Sequence, residues 1–442
     1  MNPKNTLRML SSSLNPALQD PKLQAMNFLN EVTMRFPDAI SFAPGRPPEN
    51  YFNVQASLSG INDFMNEGDL RHLPRAPLDG YDALGQYGRT RGVITDLIVS
   101  LLHNDEQIDA DADDVVMTVG AQEGMLLCLS VLAGGPDDVA LTVEPAYIGF
   151  SGAAQLLGIP VVGITSGPQG IDLKVLEQTV IDLQAQGKHA RLLYVSSDYA
   201  NPTGLTLSIE QRVELLKMAE KLDLIIVEDT AYNYFSYEEQ QLPSLKSLEG
   251  GERVIYLGSF AKTLYPGLRV GYLVAGQNVV QPDGNVQRLS ESFATAKSLF
   301  TVNTSPVMQA MVGGLLIAQD CSLKAFVRPR VAALKENRNA MLAALARHFP
   351  AGDPSHGITW NRPQGGFFIT LDMPFEVGND QLLHCAREFN VTWTPMEYFH
   401  VATFRSRQVR FSFSYVTPQE IDEGVSRFAK WFESASQALQ VA

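Results

Sequence analysis

Seven short apolar runs lie between residues 113 and 275, and their texture limits what this chain can fold into. They occupy 115–119, 139–143, 161–164, 191–195, 224–227, 254–257 and 270–274, and they are rich in β-branched residues. Their apolar character is continuous rather than alternating. Successive side chains of a strand point to opposite faces, so a continuous run is buried on both sides. A mostly parallel sheet with helices on both faces satisfies that condition. One intervening helix is well signed: Ser208-Ile-Glu-Gln211 is a capping box, and Val213, Leu216, Met218, Ala219 and Leu222 fall roughly on one face. The prediction is an α/β core, a mostly parallel seven-stranded sheet sandwiched by helices.

The flanks read differently. A helix is expected over 21–35, followed by an extended piece over 40–48, where prolines and Gly45 forbid a helix. Residues 71–92 are loop-like, and a helix follows over 93–103. A long helical passage spans 305–348, and strand-like stretches follow at 365–371 and 409–414. The last helix opens at Thr417-Pro-Gln-Glu420, a capping box with proline at the first helical position. Ile421, Val425, Phe428, Phe432 and Ala435 then make an apolar stripe. A chain of 442 residues exceeds one ordinary core. The expected division is an N-terminal segment with part of a small domain (1–80), a large domain (81–325) and a C-terminal small α+β domain (326–442).

Composition excludes several functions. The formal net charge of −14 argues against a general nucleic-acid or acidic-membrane surface. The first 20 residues lack the order of a secretion signal, and the longest apolar run, near 125–133, is too short to span a bilayer. Cys128, Cys321 and Cys385 are far apart and form no CxxC pair, which suits free thiols in a reducing compartment. The expectation is a soluble, cytoplasmic protein without a metal site. The chain has no internal repeat, HExxH, Walker-type phosphate loop or GxGxxG.

In a parallel α/β sheet, ligands sit beyond the carboxyl ends of the strands. The polar residues there are Thr118, Gly120 and Gln122 after the first run, Tyr147 after the second, and Asp198 and Asn201-Pro-Thr-Gly204 after the fourth. Glu228, Asp229 and Tyr232 follow the fifth, and Ser259 and Lys262 the sixth. Lys262 stands alone in an uncharged stretch, with Arg269 seven residues on. Desolvation disfavours a charged amine, and a neutral amine attacks a carbonyl to give a Schiff base. Taken singly, each residue has a plain structural explanation. That explanation would have to hold at the ends of five strands.

The motifs Tyr87-Gly88, Gly120-Ala-Gln122, Glu144-Pro-Ala-Tyr147, Asn201-Pro-Thr-Gly204, Asp229-Thr-Ala-Tyr232, Ser259-Phe-Ala-Lys262 with Gly267-Leu-Arg269, and Arg410-Phe-Ser-Phe run in order over nearly the whole chain. Together they resemble the fold-type I pyridoxal-phosphate enzymes, specifically class I/II aminotransferases of the aminoadipate and kynurenine aminotransferase kind. The resemblance implies that Lys262 holds the cofactor aldehyde and then moves the substrate Cα proton. It implies that Asp229 pairs with the pyridine nitrogen, that Asn201 and Tyr232 bond the phenolic oxygen, and that Tyr147 stacks on the ring. Gly120, Ala121, Gln122, Ser259 and Arg269 would hold the phosphate. Tyr87 would reach a neighbouring subunit's phosphate, which implies a homodimer. Arg410 would clamp the substrate α-carboxylate, with Arg405 and Arg407 close by in sequence, and Asn201, Gly45 and Arg46 would lie on the substrate side.

Departures from the family pattern bear on the substrate. Ala121 and Ala261 stand where serines are common, and Thr394-Pro-Met396 replaces a Pro-Gly loop. Arg46 either selects an acidic substrate or faces solvent. The leading reading is an aminotransferase acting between an α-amino acid and a 2-oxo acid. The alternative keeps pyridoxal phosphate but performs elimination or replacement, cyclisation or oxidative deamination. A regulator that carries this fold behind a DNA-binding domain is disfavoured, because the segment ahead of the match is short and not basic.

Overall fold

The computed structural model describes residues 7–20, 23, 31–32, 34–73, 80–167, 170–239, 241–350, 357–402 and 405–441. The seven expected runs all form strands: β1 (Val115–Thr118), β2 (Asp138–Glu144), β3 (Val161–Gly167), β4 (His189–Val195), β5 (Ile225–Asp229), β6 (Val254–Ser259) and β7 (Gly271–Val274). They lie in the order β1-β7-β6-β5-β4-β2-β3, with the two-residue strand Gly170–Ile171 at the β3 edge. β7 runs antiparallel to β6 and β1; the pairs β6/β5, β5/β4, β4/β2 and β2/β3 are parallel. The carboxyl ends of β1, β2, β4, β5 and β6 therefore open on one edge. β1, β4 and β6 are buried along most of their length, as their continuous apolar character requires.

The helices around this sheet, in chain order, are α1 (Val54–Glu67), α2 (Thr95–Glu106), α3 (Gly120–Leu132), α4 (Ile148–Leu157), α5 (Leu173–Ala185), α6 (Ile209–Leu222), α7 (Leu289–Phe300) and α8 (Pro306–Ala318). The capping box of α6 forms as expected, with Ser208 Oγ accepting from the Gln211 amide. Its buried face differs from the expected one, being Arg212, Leu215, Leu216 and Ala219. Apolar periodicity missed Arg212 because that guanidinium is buried with a partner, Asp198 Oδ1 at 2.5 Å, and donates to the carbonyls of Ser197, Leu207 and Pro243.

A second core contains Phe42, Phe411, Phe428, Trp393 and Trp431. It is built on α9 (Lys324–His348), β8 (Thr359–Trp360), β9 (Phe368–Asp372), α10 (Asn379–Phe389), β10 (Thr394–Pro395), β11 (Gln408–Ser412) and α11 (Pro418–Val441). The sheet order is β8-β9-β11-β10, all antiparallel. The N-terminal segment joins this core: Ile40–Ser41 pairs in parallel with Val391–Thr392. Ile421, Val425, Phe428 and Phe432 of α11 are buried, as their stripe predicts.

The helical passage expected over 305–348 comprises two helices, α8 and α9. Between them Asp320 and Cys321 adopt left-handed φ values of 49° and 51°. The Asn104 side chain bonds both of their carbonyls, and Asp105 accepts the Leu323 amide that opens the next turn. These distant partners do not announce themselves locally. The helix expected over 21–35 falls largely outside the described residues. Among those described, no helix is long and apolar enough to cross a membrane.

Candidate active site

β5 ends on Asp229 and β6 on Ser259, neighbours in the sheet. Ser259 Oγ accepts from the Ala261 amide at 3.2 Å and opens a one-turn helix, Phe260–Thr263, which carries Lys262. The Lys262 amine donates to Gly45 O at 2.7 Å and lies 5.6 Å from the Tyr232 ring centre. Burial, with the Arg410 and Arg269 cations nearby, lowers its pKa to about 8 against the opposing pull of Asp229. A neutral amine is thereby within reach near physiological pH.

Asp229 is 7% exposed. Burial raises its pKa, while the Tyr194 phenol and the Ala231 amide, each donating to it, work the other way. Among the described residues no lysine, arginine or histidine lies within ion-pair distance of it, although the Lys262 charge nearby also favours its ionised form. Tyr232 is buried in contact with Asn201, whose Oδ1 accepts from Arg410 Nη1 at 2.7 Å.

Arg410 sits on β11, between the Phe368 and Phe399 rings. Its Nη2 donates to Ala43 O and Thr394 Oγ1, and its Nε has no hydrogen-bond partner among the described residues. Desolvation pulls its pKa down to about 10. Arg405 and Arg407, its sequence neighbours, are exposed, so burial separates the three.

The start of α3 closes the other end. Gly120 has φ 69°, and a Cβ there would stand 2.5 Å from Arg269 Nη2. Gly271, opposite both Thr118 and Ser259, lets the Gly120–Ala121 peptide come close; a Cβ on it would meet Ala121 N at 2.9 Å. Amides at a helix start beside a guanidinium make an anion cradle. Gln122 borders it, with Nε2 donating to Gly149 O, which ties α3 to α4.

Lys262, Asp229, Tyr232, Asn201, Tyr147, Ser259, Ala121, Gln122, Arg269, Arg410 and Gly45 line one cavity of about 280 Å³. Two expected site residues lie apart. Tyr87 is 74% exposed. Arg46 is exposed, its guanidinium 4.1 Å from the Tyr415 ring centre.

Sequence reasoning missed Tyr194, Glu123, Lys297 and Arg330. Glu123 Oε2 accepts from the Val119 amide at 2.6 Å and from the fully buried Lys297 Nζ at 2.7 Å, and Oε1 accepts from Thr301. The anion cradle thus rests on a buried ion pair. The one available signal was Tyr194 itself, since a hydroxyl inside a buried apolar run must find a partner.

A covered, mostly parallel sheet with a lone lysine and a buried carboxylate at adjacent strand ends is the architecture of the fold-type I pyridoxal-phosphate enzymes. The profile of the family described as aminotransferase class I and II matches residues 82–428, and the chain belongs to that family. It is 41% identical over 420 residues to a (S)-3,5-dihydroxyphenylglycine transaminase of Amycolatopsis orientalis, an alignment covering 94% of this chain and 93% of that one. Among solved structures it resembles the kynurenine aminotransferase of Pyrococcus horikoshii, with TM-score 0.80 and 26% identity, covering 96% of this chain and 97% of the other. It also resembles an α-aminoadipate aminotransferase of Thermus thermophilus bound to N-(5′-phosphopyridoxyl)-L-leucine, with TM-score 0.77 and 27% identity, covering 98% and 100%. The protein is an enzyme that transfers amino groups between α-amino acids and 2-oxo acids.

Proposed function

We propose that this aminotransferase uses pyridoxal 5′-phosphate, held through Lys262. The observation that carries the reading is Lys262 and Asp229, on the ends of paired strands and facing one cavity. The residues fit the cofactor: a buried carboxylate with no contact ion pair among the described residues suits a ring nitrogen that keeps its proton, and the cradle at Gly120 and Arg269 suits a phosphate. When bound, pyridoxal phosphate supplies an electron-withdrawing ring and an aldehyde carbon that exchanges amines.

Lys262 would hold the cofactor through that aldehyde, its neutral amine being the nucleophile. Free of the aldehyde, the Lys262 Nζ amine would be the base that takes the proton from the substrate Cα and the acid that returns it to the cofactor's aldehyde-derived carbon. Asp229 holds the proton on the ring nitrogen. Asn201 and Tyr232 steady the phenolic oxygen, and Tyr147 fixes the plane of the ring. Gly120 and Ala121 amides, Gln122, Ser259 and Arg269 anchor the phosphate, and Arg410 orients the substrate by its α-carboxylate.

In this reading the enzyme is a cytoplasmic homodimer. Tyr87, exposed and outside its own chain's cavity, would reach the neighbour's phosphate. Residues 81–325 would form the cofactor domain, and 1–80 with 326–442 the remainder.

The test is a screen of the proteinogenic L-amino acids against the holoenzyme. The expected result is conversion of bound pyridoxal phosphate to pyridoxamine phosphate, reversed by a 2-oxo acid. Ammonia release without that conversion would overturn amino transfer. Lys262→Ala is expected to fold but to lose the visible absorbance band and all turnover; a variant that kept both would remove Lys262 from the chemistry.

A further inference from the structure

Arg330 lies on α9 and is 3% exposed. Its Nη1 donates to the carbonyl of Lys262 at 2.6 Å and to that of Thr263 at 2.7 Å. These two residues end the one-turn helix, where carbonyls lack partners within the helix. Among the described residues no carboxylate is in ion-pair distance of Arg330. Its Nε has no hydrogen-bond partner, and the Tyr51 ring centre lies 5.4 Å from the guanidinium. A buried guanidinium with no counter-ion is expensive for stability alone. What it holds is the backbone of the lysine.

The same helix is also bonded near Arg410 in the chain. Asn337 is seven residues, about two turns, along from Arg330, which puts both on one face of α9. Its Nδ2 donates to Phe413 O at 3.0 Å and to Val416 O at 2.7 Å, just beyond the strand that carries Arg410. One helix is therefore bonded at one point to the lysine turn and at another, two turns on, to the chain leaving β11.

We propose that Arg330 is a positioning residue which, with Asn337 on the same face of α9, sets the placement of Lys262 relative to Arg410. The inference rests on the roles assigned above to Lys262 and Arg410. It predicts that loosening either anchor misplaces the amine against a substrate held by its carboxylate. A misplacement of about 1 Å costs on the order of 10²-fold in rate.

The experiment compares holoenzymes of Arg330→Met, Arg330→Lys and wild type. The donor is the L-amino acid that converts the wild-type cofactor fastest. For Arg330→Met we expect cofactor still bound, a single-turnover rate lowered about 10- to 100-fold with KM changed less than about threefold, and a displaced midpoint in the pH titration of the visible band. Guanidinium chloride at millimolar concentration should restore part of the rate. Arg330→Lys, which keeps one donor, should fall between the two and serves as the test if the methionine variant does not fold. Wild-type rate and midpoint in either variant would overturn the proposal, as would a loss that only tracks melting temperature. Failure of the underlying reading looks different: Lys262→Ala would then keep its absorbance band whatever Arg330 does.

Discussion

The Tyr194 phenol donates to Asp229 Oδ2 at 2.5 Å, and both side chains are buried. They come from paired regions of β4 and β5, so the sheet itself sets the bond. Its effect is to favour the ionised carboxylate against a burial that favours the neutral acid.

Tyr194→Phe keeps the ring, which stacks on Phe150 at 4.3 Å, so the fold is expected to hold. Asp229 loses a charge-assisted bond worth about 1.5–3 kcal/mol, part of which solvent and neighbours return. The carboxyl becomes harder to ionise and a poorer partner for a ring nitrogen. Equilibrium dialysis of pyridoxal phosphate against the apoenzyme near neutral pH should show affinity weaker by about tenfold. An unchanged Kd would mean that the Tyr194 bond does not tune Asp229.

The lowered pKa of Lys262, about 8 against an ordinary 10.5, gives a pH profile. Below 8 the amine is protonated and a poor nucleophile. Capture of pyridoxal phosphate by the apoenzyme should therefore accelerate through pH 8 and level off above it; a midpoint near 10.5 would contradict the burial argument. The stability linkage has the matching sign. The unfolded chain holds this proton more tightly between pH 8 and 10.5, so the penalty of burying the amine is full below 8 and is relieved as pH rises.

Arg410→Lys removes a planar donor set that bonds Asn201, Ala43 and Thr394 at once. A lysine can neither hold the three contacts nor grip a carboxylate with two parallel bonds. The expected outcome in steady-state kinetics is KM for the amino acid raised about 10- to 100-fold. Arg407→Lys, at an exposed position, should leave KM where it was.

Breaking the buried pair beneath the anion cradle should be costly and reversible. Lys297→Met leaves Glu123 buried without its cation, at about 3–5 kcal/mol. Adding Glu123→Gln removes the orphaned charge and should return much of that loss. Urea unfolding of the two single variants and the double variant measures this. Equal stability of Lys297→Met and wild type would show that the pair contributes nothing net.

Much of the fold was legible because burial shows in a strand's own residues: the runs 115–119 and 254–257 are apolar except for Thr118 and form buried strands, whereas the edge run 161–164 is mostly half-buried. The neighbourhood of Lys262, Asp229 and Asn201 was legible for a similar reason, since strand ends converge on one edge. Arg46 was not, because whether its cation faces a cavity or lies on Tyr415 depends on where residue 415 arrives. The break at Asp320–Cys321 was equally hidden. No glycine or proline marks it, and the side chain that stabilises it comes from Asn104.

What the amino-acid order fixed alone is the covered sheet and the polar residues at its rim, since side-chain alternation and capping act over a few neighbouring residues. Folding in three dimensions decided which charges confront one another: Tyr194 with Asp229, Lys297 with Glu123, Arg330 with the backbone of Lys262. Electrostatic and hydrogen-bond energies depend on separation in space. Partners as much as 174 positions apart along the chain leave no local trace of it.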